Sequence, residues 1–220
     1  MSLGNSGVIL LLSACPSDKT IPCWVRKSSL TGVASEWKAI SVGVNNDDLV
    51  QLQKVRDLPS SRWPTCICID IAHGHSESVK EMIEAIHTLF QEQLPLIIAG
   101  NVTTPEAVID LQNWGAHMIK VGIGPGQVCS TKNMTGFHVP MFTAVQQCAE
   151  VAKVPIIADG GIRENGDIAK ALVARADMVM IGGMFAACTD SPADIVEGKK
   201  EYYGSASSYN KGHNQHVEGF

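Results

Sequence analysis

The chain has 220 residues, 45% hydrophobic and 18% charged, with a formal net charge of −5. That length suits one large domain or two small ones and can bury a sizeable core, and the balance is that of an ordinary soluble globular protein. No dense basic run and no stretch of ~18 apolar residues occurs, which excludes an electrostatic footprint for nucleic acid and an apolar membrane span.

The first apolar run is Val8 to Leu12, and Val8 to Ser13 reads as a short buried strand. Leu12-Ser13-Ala14-Cys15 has the look of a lipoprotein cleavage box. However, no Lys or Arg precedes Lys19, and the run is shorter than the ~7 apolar residues a secretory signal needs. From residue 39 a pattern of strand, glycine or acidic turn, then helix repeats. Runs rich in β-branched residues read as buried parallel strands at Ala39 to Val44, Thr65 to Ile71, Leu94 to Ala99, His117 to Gly122, Val154 to Ala158 and Asp177 to Ile181. Between them, Ser76 to Phe90 keeps Val79, Ile83, Ile86 and Phe90 on one helical face. Thr104-Pro105-Glu106 opens a second helix with a cap residue and a proline in the first turn, and Gly166-Asp167 opens a third over Ile168 to Ala174.

Six β-α units at ~25–35-residue spacing predict an α/β fold, a (βα)8 TIM-type barrel, with a doubly wound sheet as the alternative. The strand ends favour the barrel. Asp70-Ile71-Ala72-His73, Gly100-Asn101, Gly122 to Gly126, Asp159-Gly160-Gly161 and Gly182-Gly183 all fall at C-terminal ends, where barrel active sites form. A complete barrel takes ~250 residues, so six clear strands, or seven with Val8 to Ser13, predict an incomplete one. Residues 1–38 stand as an unmatched N-terminal segment contributing at most one strand, and 39–220 as the barrel with a C-terminal active-site loop.

The chemistry concentrates in the run Lys120 to Gly136, KVGIGPGQVCSTKNMTG. Gly122, Gly124 and Gly126 are expected to take positive φ angles and let the backbone approach a ligand. Cys129 sits in this loop with Ser130, Thr131 and Lys132 directly after it, and a nearby cation favours a thiolate. From the loop alone, a nucleophile and an incidental cysteine in a strand-to-helix turn weigh about equally. The other cysteines, at 15, 23, 66, 68, 148 and 188, bring the total to seven, an odd and scattered set. This is a poor disulfide framework that suits a reducing cytosol, so a cytoplasmic location is expected. Cys66 and Cys68 share one strand face and read as small core residues. The glycines of Asp159-Gly160-Gly161 and Gly182-Gly183 offer backbone N–H groups suited to a phosphate, and Asp159 suits ribose hydroxyls. His73-Gly74-His75 lacks a third ligand at a set spacing and reads as structural. His213, His216 and Glu218 lie in a polar, glycine-rich tail, Asn210 to Phe220, which reads as a solvated loop.

Taken together, these residues resemble the GMP reductase branch of the IMP dehydrogenase/GMP reductase superfamily. The pieces are ISVGV (40–44), IDIAHGHSESV (69–79), IAGNVTTPEAV (98–108), KVGIGPGQVCSTKNMTG (120–136), PIIADGGIRENGDIAKAL (155–172), VMIGGMFA (179–186), EYYGSAS (201–207) and, more weakly, VEG (217–219). The resemblance implies NADPH-dependent conversion of GMP to IMP and ammonia through a covalent thioimidate on Cys129. It implies that Thr131 and Glu218 handle the proton of the departing ammonia. Asp159, Gly160, Gly161, Gly182, Gly183, Gly204, Ser205, Ala206 and Gly219 would hold the nucleotide. Asp70, Ile71, Ala72, Ile123 and Gly124 would touch NADPH. Gly124, Gly126 and Cys129, with Lys132 nearby, would form a potassium site. The family also implies a homo-oligomer, a tetramer. Two other readings stay open: an IMP dehydrogenase-like enzyme using NAD and water, and an inactive nucleotide-binding fragment. The segment GFHVPMF (136–142) is expected to be a flap, and Arg175 stands where the family usually has glycine.

Overall fold

The computed structural model describes residues 9–11, 39–126, 129, 131–186, 195–196 and 199–200. Seven parallel strands form the main sheet: β1 (Ile9–Leu11), β2 (Ala39–Val42), β3 (Cys66–Asp70), β4 (Leu96–Val102), β5 (Met118–Val121), β6 (Ile156–Asp159) and β7 (Met178–Ile181). Their order is β1-β7-β6-β5-β4-β3-β2, every neighbouring pair parallel. From β2 to β7 each strand lies beside the next in sequence. A doubly wound sheet reverses direction at a switch point, and this sheet has no such reversal. The fold is an incomplete (βα)8 barrel, in which β1 pairs with β7 rather than with β2.

The helices are α1 (Asn46–Arg56), α2 (Glu77–Leu89), α3 (Pro105–Trp114), α4 (Thr131–Thr135), α5 (Met141–Val151), α6 (Asn165–Val173) and α7 (Gly183–Ala186). A short antiparallel pair, β8 (Ile195–Val196) and β9 (Lys199–Lys200), follows.

The period-2 alternation of each strand divides the core in two. Ile67, Ile69, Ile97, Ala99, Ile119, Val121, Ile156, Ala158, Val179 and Ile181 pack beneath the helices, against Val79, Ile83, Ile86, Val108, Leu111, Val145 and Cys148. Burying each large apolar side chain there contributes ~1.5–3 kcal/mol. The opposite face, which a barrel turns inward, carries Cys66, Cys68, Ile98, Ile157 and Met180. The two cysteines are thus small core residues. Burial pushes the Cys66 thiol up to about 11 and raises that of Cys68 further.

Local signals explain most boundaries. Thr104 caps α3, its hydroxyl accepting from the Ala107 N–H at 3.3 Å, with Pro105 first in the helix. The structure corrects other expectations. The strand expected to end at Ala99 runs on to Val102, with a register shift against β5 between Gly100 and Val102. It continues because Asn101 bonds across to the chain leaving β3: its N–H donates to Ile71 O at 2.9 Å. The third predicted helix opens earlier, at Asn165. Of the segment 136–142, residues 136–140 form neither helix nor strand, and Pro140 caps α5, which begins at Met141. Helix α1 was not anticipated from periodicity, because only Leu52 of it is buried; it rests instead on a capping box between Asn45 and Asp48.

Candidate active site

The C-terminal strand ends bring four polar side chains together. Asp70 closes β3, Asn101 lies near the end of β4, Lys120 lies in β5 and Asp159 closes β6. Lys120 is 1% exposed, although it stands in an otherwise apolar strand. Its Nζ donates to Asp70 Oδ1 at 2.6 Å, to Asp159 Oδ2 at 2.7 Å and to Asn101 Oδ1. Asn101 Nδ2 donates to the same Asp159 oxygen at 2.8 Å and to Gly122 O at 2.6 Å. Burial alone would pull the Lys120 ammonium down, but the charges of Asp159 and Asp70 outweigh it and raise its pKa, so the group stays protonated. Asp159 and Asp70 keep 19% and 40% of their side chains exposed, so both reach the rim.

The glycines after β5 and β6 mould the floor. Gly122 has φ +142° and Gly124 +81°, the left-handed range that glycine tolerates, whereas Gly126 lies outside it, contrary to expectation. Gly160 and Gly161, at φ +93° and +77°, leave Pro125 in the space that their side chains would need. A Cβ on Gly160 would lie 2.9 Å from Pro125 Cγ and 3.3 Å from Gly126 N. Gly126 O in turn accepts from the Cys129 N–H at 3.2 Å. A continuous chain of contacts therefore joins the Cys129 loop to Asp159-Gly160-Gly161. Cys129 is half-buried and unpaired by any disulfide; Thr131 opens α4 and is buried, 9% exposed.

Beside this floor lies a polar cleft of about 580 Å³, lined by Gly124, Lys132, His138, Met141, Gly161 and Arg163 among others. A smaller cavity of about 350 Å³ near His87 lies away from these loops and carries no chemistry of this kind. Ile71 and Ala72 leave β3 half-buried, with Ile71 N donating to Gly100 O at 3.1 Å. Ile123 is buried, 7% exposed, and its carbonyl faces His138 Nδ1 at 3.4 Å. Gly182 follows β7 and Gly183 opens α7, with open space where a Gly183 Cβ would stand. For a monovalent cation the loop offers backbone carbonyls at Gly124, Gly126 and Cys129, the oxygen donors such ions take. The Lys132 ammonium only donates, so that side chain would stand beside such an ion rather than ligate it.

The sequence singled out Asp70 and Asp159 and set Gly100-Asn101 at the same rim, but missed Lys120 as the group that joins them. The available signal was a lone charge at an inward-facing position of the strand Met118–Val121, in register with Gly100 and Ile157. Glu218, Gly204, Ser205, Ala206 and Gly219 lie outside the described residues. Among the described residues no cluster of three or more metal-ligating side chains occurs, and His75 pairs with Asp110 at 2.8 Å, in keeping with a structural histidine. No helix among the described residues is long and apolar enough to cross a membrane.

Comparison with known proteins places this geometry. Residues 35–218 match the family model described as IMP dehydrogenase / GMP reductase domain. The chain is 54% identical over 191 residues to a GMP reductase of Albidiferax ferrireducens, covering 83% of this chain and 57% of the relative. It is 52% identical over 187 residues to a GMP reductase of Mesoplasma florum, covering 82% and 58%. The chain thus spans little more than half the length of the curated relatives it matches. Among solved structures, GMP reductase from Trypanosoma brucei in complex with guanosine 5′-triphosphate superposes with a TM-score of 0.63 at 38% identity, covering 70% of this chain and 36% of that one. Inosine 5′-monophosphate dehydrogenase from Legionella pneumophila gives 0.64 at 40%, covering 72% and 47%.

Proposed function

The chain belongs to the IMP dehydrogenase / GMP reductase family, and from that premise we propose that it acts in the NADPH-dependent reductive deamination of GMP to IMP and ammonia. The observation that carries the reading is the contact chain from Cys129 through Gly126 and Pro125 to Gly160, with the Asp159 carboxylate beside it. That contact brings a thiol and a ribose-binding carboxylate to one rim. The relatives named GMP reductase, and a structure of a Trypanosoma brucei variant in complex with guanosine 5′-monophosphate, support guanosine nucleotide as the ligand.

In this reading Asp159 accepts hydrogen bonds from the ribose hydroxyls. The backbone N–H groups of Gly160, Gly161, Gly182 and Gly183 face the phosphate, and Gly204, Ser205, Ala206 and Gly219 line the base. Cys129 Sγ bonds to purine carbon 2, and ammonia leaves with a proton handled by Thr131 and Glu218. NADPH would be held along Asp70, Ile71, Ala72, Ile123 and Gly124 and would supply a hydride for carbon 2. Cys129 leaves carbon 2 as the thiolate when its C–S bond breaks. A potassium ion on the carbonyls of Gly124, Gly126 and Cys129 would hold the loop in shape.

Incubation with GMP and NADPH should bleach the reduced-nicotinamide absorbance and release ammonia in equal amount. Cys129→Ala should lower turnover by on the order of 10⁴-fold, as for other covalent nucleophiles. Glu218→Gln should lower it by about 10²–10⁴-fold, the range of a proton-handling group. GMP binding without turnover would replace the enzyme with a nucleotide-binding fragment. Formation of XMP from IMP and NAD would replace the reductase with a dehydrogenase.

A further inference from the structure

We infer that Lys120 is a positioning residue of this site: its ammonium holds the Asp70 and Asp159 carboxylates as one assembly and ties the cofactor side of the rim to the nucleotide side. The inference rests on the reading of the site given above and deepens it.

The geometry leaves Lys120 little other purpose. All three ammonium protons are engaged, each by a different strand: Asp70 on β3, Asn101 on β4 and Asp159 on β6. With 1% exposure, the side chain has no surface left to touch a ligand itself. The fold also makes room for it. A Cβ on Gly100 would stand 2.5 Å from Lys120 Cβ, so the stem passes where only glycine leaves space. An interior strand position does not need a cation for stability. Replacing a buried ion pair by well-packed apolar groups is often neutral or stabilising, and the same face already carries Ile98, Ile157 and Met180. What the ammonium does is fix two partly exposed carboxylates, 40% and 19% open, within 2.7 Å of one nitrogen. The other titratable neighbour is the buried Cys68 thiol, which burial keeps neutral. Asp70 and Asp159 are thereby set relative to each other, and any ligand seated on one meets a pre-set partner on the other.

Calorimetric titration of the full chain with GMP tests this through a double-mutant cycle. Lys120→Met should weaken GMP by about 10²-fold, the scale of losing one partner of a buried hydrogen-bonded charge pair. Asp159→Asn should weaken it comparably. Because Lys120 acts through Asp159, the double variant should bind no worse than the weaker single one, whereas independent effects multiply to about 10⁴-fold. Should Lys120→Met not fold, Lys120→Arg takes its place. It should lose about tenfold in the native background and nothing beside Asp159→Asn, in keeping with the non-equivalence of the two cations. Multiplying effects, or wild-type affinity in Lys120→Met or Lys120→Arg, would overturn the role of Lys120 alone. A wild-type chain that binds no GMP would overturn the reading of the site, and the inference with it.

Discussion

Gly100 is the residue whose identity most constrains the rim, since its missing side chain is the space Lys120 occupies. Gly100→Ala sets a methyl group 2.5 Å from Lys120 Cβ and 2.7 Å from Lys120 O. Neither atom is the flexible end of a side chain, so strand β4 must shift. Overpacking of this kind costs about 1–3 kcal/mol, to be read as a lower denaturant midpoint at unchanged slope. The cysteines separate by the same logic of space and burial. Cys148 is buried, its thiol pushed up to about 12 by burial and by Glu106, and Cys66 stands at about 11. Limiting iodoacetamide should therefore label Cys129 well before Cys66, Cys68 and Cys148, as peptide mass mapping would show. Equal labelling would count against a special thiol. Cys129 was legible in the sequence because its loop is written in consecutive residues. Lys120 with its partners was not, because Asp70, Asn101, Lys120 and Asp159 meet only once the strand registers are set.

At the scale of elements, helix ends carry the testable content. Helices α3 and α6 both end in paired turns: Ala116 N bonds to Leu111 O and Gly115 N to Gln112 O, and Ala176 N to Ala171 O and Arg175 N to Leu172 O. The turning residue of α3 is Gly115, at φ +108°; that of α6 is Arg175, at φ +74°. A non-glycine residue in this region costs ~1–2 kcal/mol. Arg175→Gly should thus stabilise the chain, raising Tm by roughly 2–4 °C for each kcal/mol regained; an unchanged or lower Tm would contradict this. At the other end, Asn45→Ala removes the cap of α1, whose side chain accepts from Asp48 N at 2.9 Å. It should cost about 0.5–2 kcal/mol, measurable by thermal or urea melts. The strands and helices α2 and α3 were legible because periodicity and caps are local. The extension of β4 through Asn101 was not, since it depends on a bond to Ile71 O on the neighbouring strand.

For the whole molecule, the sheet order separates a barrel from a doubly wound sheet, a choice that β-α alternation by itself left open. It also sets the functional geometry, because an unreversed parallel order puts the ends of β3 to β7 along one rim. Asp70, Lys120, Asp159 and the loops carrying Cys129 and Gly182 all derive their proximity from that order. The central claim is that these loops form a single guanosine nucleotide site with Cys129 inside it. The most direct measurement is the rate of Cys129 carboxamidomethylation, followed by mass spectrometry with and without GMP. At a GMP concentration about ten times its Kd, labelling of Cys129 should slow roughly tenfold by mass action, while the rates at the buried Cys66, Cys68 and Cys148 stay unchanged relative to one another. GMP that binds yet leaves the Cys129 rate unaltered would contradict a shared site.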